Sequence, residues 1–396
     1  MIDLTKLKVA LIHYWYVRRR GGERVLDTLA EMLPNADLFI MVADPGSMPS
    51  ATAAHRLTTS FLQRIPGAKK HYRKMLPLFP LALESFNLDD YDLVLSHEAG
   101  PAKGVLTRAR TCHVNYCHSP MRYIWEMYQE YKQQAPGGAL GRAFYAASSH
   151  YVRQWDFAAA ARVDHFLASS NNAARRIRKY YGRESTVVYP PVDVDRFAPA
   201  ETRDDFYLVV SPLVAYKRVD LAIEACNKLR RRLIVIGTGE QMGALRKLAG
   251  PTIEFLGNQP DEVVRDHYSR SRAFLFPGEE DIGLTPIEAQ ASGAPVLAFG
   301  AGGAVETVNG TFIDESFQEG STGLFFGSQT VEDVVQAIVL FEQYEDRFQE
   351  QDLTANASRF SAAQFKSRMI LELQSRCEEF QERAHSVDRA SAVSSW

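Results

Sequence analysis

Ala273-Phe274-Leu275-Phe276-Pro277-Gly278-Glu279-Glu280-Asp281-Ile282-Gly283-Leu284-Thr285-Pro286-Ile287-Glu288 is the stretch whose reading decides the fold. Its first four residues are an unbroken apolar run, the pattern of a short strand buried on both faces. Ala289 to Pro295 reads as the rest of a helix closed by Gly293, and Val296-Leu297-Ala298-Phe299 as a second buried strand. Strand, turn, helix and strand in that order form the repeating unit of a parallel α/β sheet. Glu280 and Glu288 stand eight positions apart across the turn, with the free amides of a helix start between them. Such amides form an anion site. A carboxylate accepts hydrogen bonds from hydroxyl groups, so one loop offers partners for both hydroxyls and phosphate. The plain structural reading is an acidic helix start that complements the helix dipole.

The same alternation runs through the chain. In the first half the strand candidates are Lys8–His13, Asp37–Met41, Asp92–Ser96, Thr111–Tyr116 and His165–Ala168, with helical sequence between them, such as Glu23–Leu33. Tyr189-Pro190-Pro191-Val192-Asp193 stops regular structure. The second half offers Phe206–Val210, Leu233–Ile236, Ile253–Leu256, Ala273–Phe276 and Val296–Phe299. Two successive βα arrays predict two Rossmann-like domains, over residues 1–190 and 191–360. Ligands in such sheets sit at the carboxyl ends of the strands, so two facing domains share a cleft. Phe360–Arg383 reads as a polar helix, and Ala384–Trp396 as a frayed tail.

Composition sets bounds. At 396 residues, 46% apolar and 23% charged, the chain is that of a globular protein of two domains. No run has the length of a membrane-spanning helix, and the opening residues lack a signal peptide's apolar core. Cys112, Cys117, Cys226 and Cys377 have no metal-ligand spacing, and they point to the reducing cytoplasm. Residues 1–190 carry 25 Lys and Arg against 16 Asp and Glu, while the remainder carries 20 against 32. A basic first half suits an anionic partner such as a lipid diphosphate or a membrane surface. Opposite signs attracting between the halves explain the balance equally well. A nucleic-acid partner is not expected.

Several further segments carry chemistry. Gly21 and Gly22 follow the first strand and precede a helix, where backbone can approach phosphate closely; an ordinary turn needs the same residues. The run Arg18-Arg19-Arg20 reads as a solvated edge or as a clamp for an anionic acceptor. His118 ends a strand, and Pro120 forces an extended exit before Arg122, Tyr123 and Trp125. These three suit acceptor contact or loop packing. In the second half Lys217 and Arg218 follow a strand and precede a helix, where a cation is unfavourable unless it meets an anion. Gly237 and Gly239 end another strand, Asn258 follows Gly257, and Gly302-Gly303 forms a further glycine turn. Each fits a tight turn at a strand end. Lys69-Lys70-His71-Tyr72-Arg73-Lys74-Met75-Leu76-Pro77-Leu78-Phe79-Pro80-Leu81 mixes basic and apolar residues. It suits an anionic membrane face or a lipid-linked acceptor, or a surface helix that Pro77 and Pro80 interrupt.

The order strand, Pro-Gly-Glu-Glu, Gly-Leu, Pro-Ile-Glu-Ala, Gly-x-Pro-Val resembles the donor-site motif of the retaining glycosyltransferases of family 4. Cys117-His118-Ser119-Pro120, with Arg122, Tyr123 and Trp125, resembles a bacterial subgroup that builds cell-surface polysaccharides, many of them mannosyltransferases. The resemblance implies a GT-B fold, two parallel sheets facing across a cleft, with residues 361–396 returning as a helix to the first domain. It implies an acceptor-side first domain and a nucleotide-sugar-binding second domain. Catalytic roles would fall on His118, Glu280 and Lys217. Donor contacts would come from Gly21, Gly22, Lys217, Arg218, Gly237, Gly239, Asn258, Ile282, Gly283, Leu284, Thr285 and Glu288, and acceptor contacts from Arg20, Arg122, Tyr123 and Trp125. The chain departs from the family at Pro212, where an arginine usually stands five positions before Lys217.

The expected activity is therefore retaining transfer of a hexose, mannose from GDP-mannose by preference, to a saccharide or polyprenyl-diphosphate-linked acceptor. Neither a cofactor nor a metal is expected, since the sequence has no Asp-x-Asp pair at a strand end and no His/Cys cluster. The expected place is the cytoplasm or the inner face of its membrane. Other readings on the same architecture are a UDP-sugar donor, a sugar-nucleotide epimerase or phosphorolytic enzyme, and a carbohydrate-binding protein without turnover.

Overall fold

The computed structural model describes residues 2–98 and 100–393. The chain divides into two compact units, residues 1–190 with 365–396, and residues 191–364.

The first unit is built on seven strands: β1 (Val9–Tyr16), β2 (Asp37–Ala43), β3 (Leu57–Thr59), β4 (Leu93–Glu98), β5 (Cys112–Cys117), β6 (His165–Ala168) and β7 (Ser185–Val187). Every pair is parallel, in the order β3-β2-β1-β4-β5-β6-β7. The order reverses between β1 and β4, and the strand ends at such a switch point open a crevice. Apolar residues pack both faces, which is why these strands read as continuous apolar runs. Phe365, Met369, Leu373 and Cys377, one per helical turn of the helix Ala362–Val393, belong to the core on one face.

The second unit repeats the plan with β8 (Tyr207–Val210), β9 (Leu233–Ile236), β10 (Ile253–Gly257), β11 (Ala273–Phe276), β12 (Val296–Phe299), β13 (Gly310–Phe312) and β14 (Gly323–Phe326). Their order is β10-β9-β8-β11-β12-β14-β13, all parallel, with the switch between β8 and β11. Both units are Rossmann-like, as the alternation of runs predicts.

Differences from expectation lie at the margins. β3, β7, β13 and β14 are additional strands of three or four residues, each beginning or ending at glycine, serine or threonine. β3, β7 and β13 carry too little apolar pattern to stand out, whereas β14, Gly323-Leu324-Phe325-Phe326, is apolar and buried and is absent from the sequence reading. The final helix begins at Ala362 and continues to Val393. The expected end at Arg383 is corrected: residues 384–393 contain neither glycine nor proline to stop the helix. The remainder of the expected frayed tail, residues 394–396, lies outside the described residues. In the segment 69–81, Pro77 and Pro80 break the helix as anticipated. It divides into a turn of helix Ala68–His71, a 3₁₀ stretch Tyr72–Leu78 and a helix Phe79–Glu84. All four cysteines are buried thiols. Among the described residues, no helix is long and apolar enough to cross a membrane.

Candidate active site

In the second unit the loops that leave the carboxyl ends of the strands converge. Lys217 ends a 3₁₀ turn after β8, ahead of the helix Val219–Leu229, and its buried ammonium is ion-paired with Glu280, from the loop after β11. β8 and β11 flank the switch point, so the pair sits where this sheet topology places ligands. Gly278 permits the approach. A Cβ there would lie 2.8 Å from the Lys217 Cα, a distance no side chain tolerates.

The helix Leu284–Ala291 starts behind Gly283, whose φ of 74° is the left-handed conformation natural to glycine. Among the described residues no side chain caps it, which leaves the amides of its first turn available to an anion. One turn in, Glu288 accepts a hydrogen bond from the buried Tyr268 hydroxyl at 3.1 Å. Burial first, then the Glu288 and Glu280 carboxylates, push the Tyr268 phenol well above its usual range. Tyr268 thus stays a neutral donor that orients Glu288. Gly303 N–H donates to the Glu280 carbonyl at 2.7 Å, and side chains at Gly302 or Gly303 would collide with residues 280–282. That glycine pair therefore holds the acidic loop in shape.

On the other side of β8, Gly237 and Gly239 pass over the backbone of Ser211 and Leu213, leaving no room for a Cβ. Gly237 N–H donates to the Gly257 carbonyl at 2.7 Å, which brings exposed Asn258 into the same group of loops. Lys217, Glu280, residues 282–285, Glu288, Gly237, Gly239 and Asn258 are thus gathered by the second unit alone. Arg218 is different. It adopts a left-handed conformation and its guanidinium turns back onto Asp220 at 3.0 Å. It is paired there within its own helix start, as Lys217 is with Glu280.

In the first unit, Gly21 and Gly22 open the helix Gly21–Met32, which starts where expected but for two residues. Arg19 is committed to Asp27 at 2.8 Å. Arg18 and Arg20 are exposed and share a cavity of about 240 Å³ with Trp15, Lys69, Lys70, Tyr72 and Arg73, beside the single acid Glu23. Arg122 pairs with Glu126, Tyr123 donates to the Met121 sulfur, and the Trp125 indole donates to Asp156 at 2.8 Å while stacking on Tyr180. Of the two readings of this loop, these contacts are those of packing. Asp156 also binds Lys103 and the Tyr181 hydroxyl, so a fully buried ion pair anchors it.

His118 lies one residue beyond β5 and is half-buried. Its Nε2 is 2.6 Å from Nε2 of His97, and Nδ1 of His97 is 3.2 Å from Nδ1 of His13. Burial depresses all three imidazoles. His13 falls to about 4 and His118 to about 3, and His97 lies well below its ordinary value, with its histidine neighbours adding to the effect. His113, also buried, falls to about 3. His13 and His97 are absent from the sequence reading of the site. The signal available was a histidine within two residues of the end of three strand candidates, Lys8–His13, Asp92–Ser96 and Thr111–Tyr116. Among the described residues, no group of three or more His, Cys, Asp or Glu is arranged to hold a metal ion.

Comparison with known proteins identifies this architecture. The model described as Glycosyltransferase Family 4 matches residues 19–196, and that described as Glycosyl transferases group 1 matches residues 205–341. The chain belongs to glycosyltransferase family 4. Within it, a GDP-mannose-dependent alpha-(1-6)-phosphatidylinositol monomannoside mannosyltransferase of Mycobacterium tuberculosis is 29% identical over 201 residues, 43% of this chain and 50% of that protein. A D-inositol 3-phosphate glycosyltransferase of Nocardia farcinica is 29% identical over 237 residues, 51% of each. The chain thus matches about half the length of these curated relatives. Among solved structures, Anabaena HepE in complex with UDP superposes with a TM-score of 0.67 at 14% identity, over 93% of this chain and all of that one. Sucrose-phosphate synthase from Thermosynechococcus elongatus gives 0.67 at 17% identity, over 93% and 99%. At that identity the likeness is one of fold, and the fold is GT-B.

Proposed function

We propose that the chain is a retaining hexosyltransferase that takes its sugar from a nucleoside diphosphate donor, GDP-mannose by preference. The observation that carries this reading is the Lys217–Glu280 pair at the switch point, beside an uncapped helix start. The second unit is the donor unit. Lys217 exchanges Glu280 for the diphosphate, and the amides of Gly283, Leu284 and Thr285 bind its oxygens. Charge that develops on the departing diphosphate is met by fixed dipoles and one cation, the electrostatic part of catalysis. Glu280, released from the ammonium, accepts hydrogen bonds from sugar hydroxyls. Glu288, oriented by Tyr268, accepts those of the ribose, and Gly237, Gly239 and Asn258 lie toward the base. His118 receives the sugar contact that the family resemblance implies. No metal enters these steps.

The preference for GDP-mannose rests on the mycobacterial relative, whose printed activity is GDP-mannose-dependent. For the first unit we propose the acceptor, a saccharide carried on a polyprenyl diphosphate for cell-surface polysaccharide. The cavity of Arg18, Arg20, Lys70 and Arg73 suits a diphosphate, and Leu81, 56% exposed near that basic segment, suits contact with an anionic membrane surface. Incubation with sugar-labelled GDP-mannose or UDP-glucose and a lipid-linked acceptor tests the reading. Label should move from GDP-mannose to the acceptor, and Glu280→Ala should abolish that transfer. Transfer from UDP-glucose alone would replace the mannose assignment. Release of an epimer or a sugar phosphate would replace the reaction class.

A further inference from the structure

The buried histidines of the first unit form an ordered chain. β1 and β4 pair His13 with His97, and β4 and β5 pair His97 with Tyr116, two residues before His118. The His13 and His97 rings stack at 5.0 Å, and the His97 and His118 rings meet edge-on at 4.7 Å. Sheet register therefore sets the spacing of all three rings.

One carbonyl fixes the direction of the chain. His13 Nδ1 lies 3.0 Å from the His97 carbonyl oxygen, which accepts only, so His13 carries its proton on Nδ1. That N–H also faces His97 Nδ1, which must then be bare. A neutral His97 carries its proton on Nε2 and donates it to His118 Nε2 at 2.6 Å. His118 Nε2 is then an acceptor, and the remaining proton of His118 sits on Nδ1. A second proton on His118 would set two N–H groups against each other. The far end of the chain is His13 Nε2, buried and without a hydrogen-bond partner among the described residues. His118 Nδ1, by contrast, has no protein partner among the described residues.

We infer that His97, backed by His13, is a positioning residue that holds His118 as the neutral Nδ1–H tautomer. His118 then offers a bound sugar a hydrogen-bond donor, directed at the lone pair of a hydroxyl or ring oxygen, and provides no base. This role rests on the assignment of His118 to the sugar. The tautomer itself does not depend on that assignment.

The test reads the two separately. The full chain, labelled with ¹⁵N-histidine, is observed in two-bond ¹H–¹⁵N correlation spectra at pH 7.5, with His118 assigned by its loss in His118→Ala. His118 should show a protonated Nδ1 and a bare Nε2. His97→Gln, whose amide can accept from His13 and donate to His118, should retain that pattern and most of the turnover. His97→Asn, too short to reach His118, and His97→Leu should lose the pattern, with kcat reduced about ten- to a hundredfold, as for other partners that orient a histidine. A protonated Nε2 or an imidazolium at His118 in the unaltered chain overturns the inference, whether or not the variants fold. An unchanged His118 signal in His97→Asn overturns it too. Full transfer by His118→Ala with the expected tautomer in the unaltered chain would overturn only the sugar contact.

Discussion

Lys217 is ion-paired with Glu280 across the switch point of the second sheet, each side chain coming from the loop after one of the two flanking strands. In the free protein the pair keeps a buried ammonium compensated. A diphosphate must compete with Glu280 for Lys217. Glu280→Gln should therefore bind GDP more tightly, about three- to tenfold, while transfer from GDP-mannose falls about a hundredfold or more. Lys217→Ala should lose both. Calorimetric titration with GDP beside a transfer assay separates the two effects. Weaker GDP binding by Glu280→Gln would contradict the exchange.

Glu288 carries the expected ribose contact and takes the Tyr268 hydroxyl. Glu288→Ala leaves that buried hydroxyl without its acceptor. The loss should be about 1–3 kcal/mol of stability, besides weaker nucleotide binding. Tyr268→Phe removes the buried hydroxyl itself and leaves the half-buried Glu288 carboxylate open to water, so it should cost less stability than Glu288→Ala. Denaturant melts of the two variants check the order.

Pro212 is exposed on the loop after β8, and Arg218 is occupied by Asp220. Pro212→Arg restores the cation that the family resemblance leads one to expect before Lys217. GDP affinity should rise about tenfold, as expected for one added charge-assisted contact. Unchanged affinity would mean that the diphosphate lies away from this loop.

Acid should unfold the first unit early. His13, His97 and His113 are fully buried, and burial holds each below its unfolded value of 6.5, His13 at about 4 and His113 at about 3. Below pH 6.5 the unfolded chain binds protons that the native state refuses. The stabilisation is thus complete above pH 6.5 and is lost as pH falls toward the native values. Each such proton contributes about 1.4 kcal/mol per pH unit, about 4 for the three together at most. Denaturant melts between pH 7.5 and 5 should show this slope, and stability independent of pH over that range would contradict it.

The Lys103–Asp156 pair is fully buried and holds Trp125 and Tyr181. Lys103→Ala strands the carboxylate and should cost about 3–5 kcal/mol. Asp156→Asn retains an acceptor oxygen for the Trp125 and Tyr181 donors but takes the carboxylate charge away from the buried ammonium, so it should also destabilise. A loss below 1 kcal/mol in both variants, measured by thermal melting, would show that water reaches the pair.

Much of this fold was legible in the chain because parallel strands buried on both faces leave unmistakable apolar runs. Ala273–Phe276 and Val296–Phe299 begin and end where their sequence indicates. The strands β3, β7 and β13 have three residues each, and only pairing with a neighbour distinguishes them from loop. The acidic loop was legible for a similar local reason: glycine, helix start and carboxylate spacing all lie within one segment. The histidine chain was not. His13 and His97 are 84 positions apart, and only the parallel register of β1 and β4 brings their rings together. The Arg218–Asp220 pair was not legible either, since it depends on a left-handed turn unusual for a side-chain-bearing residue.

The most direct test is a structure of the chain with GDP-mannose bound. The diphosphate should lie within about 3 Å of Lys217 Nζ and the amides of Gly283–Thr285, with the mannose hydroxyls on Glu280 and the ribose on Glu288. A nucleotide bound elsewhere, with Lys217 still paired to Glu280, would contradict the account.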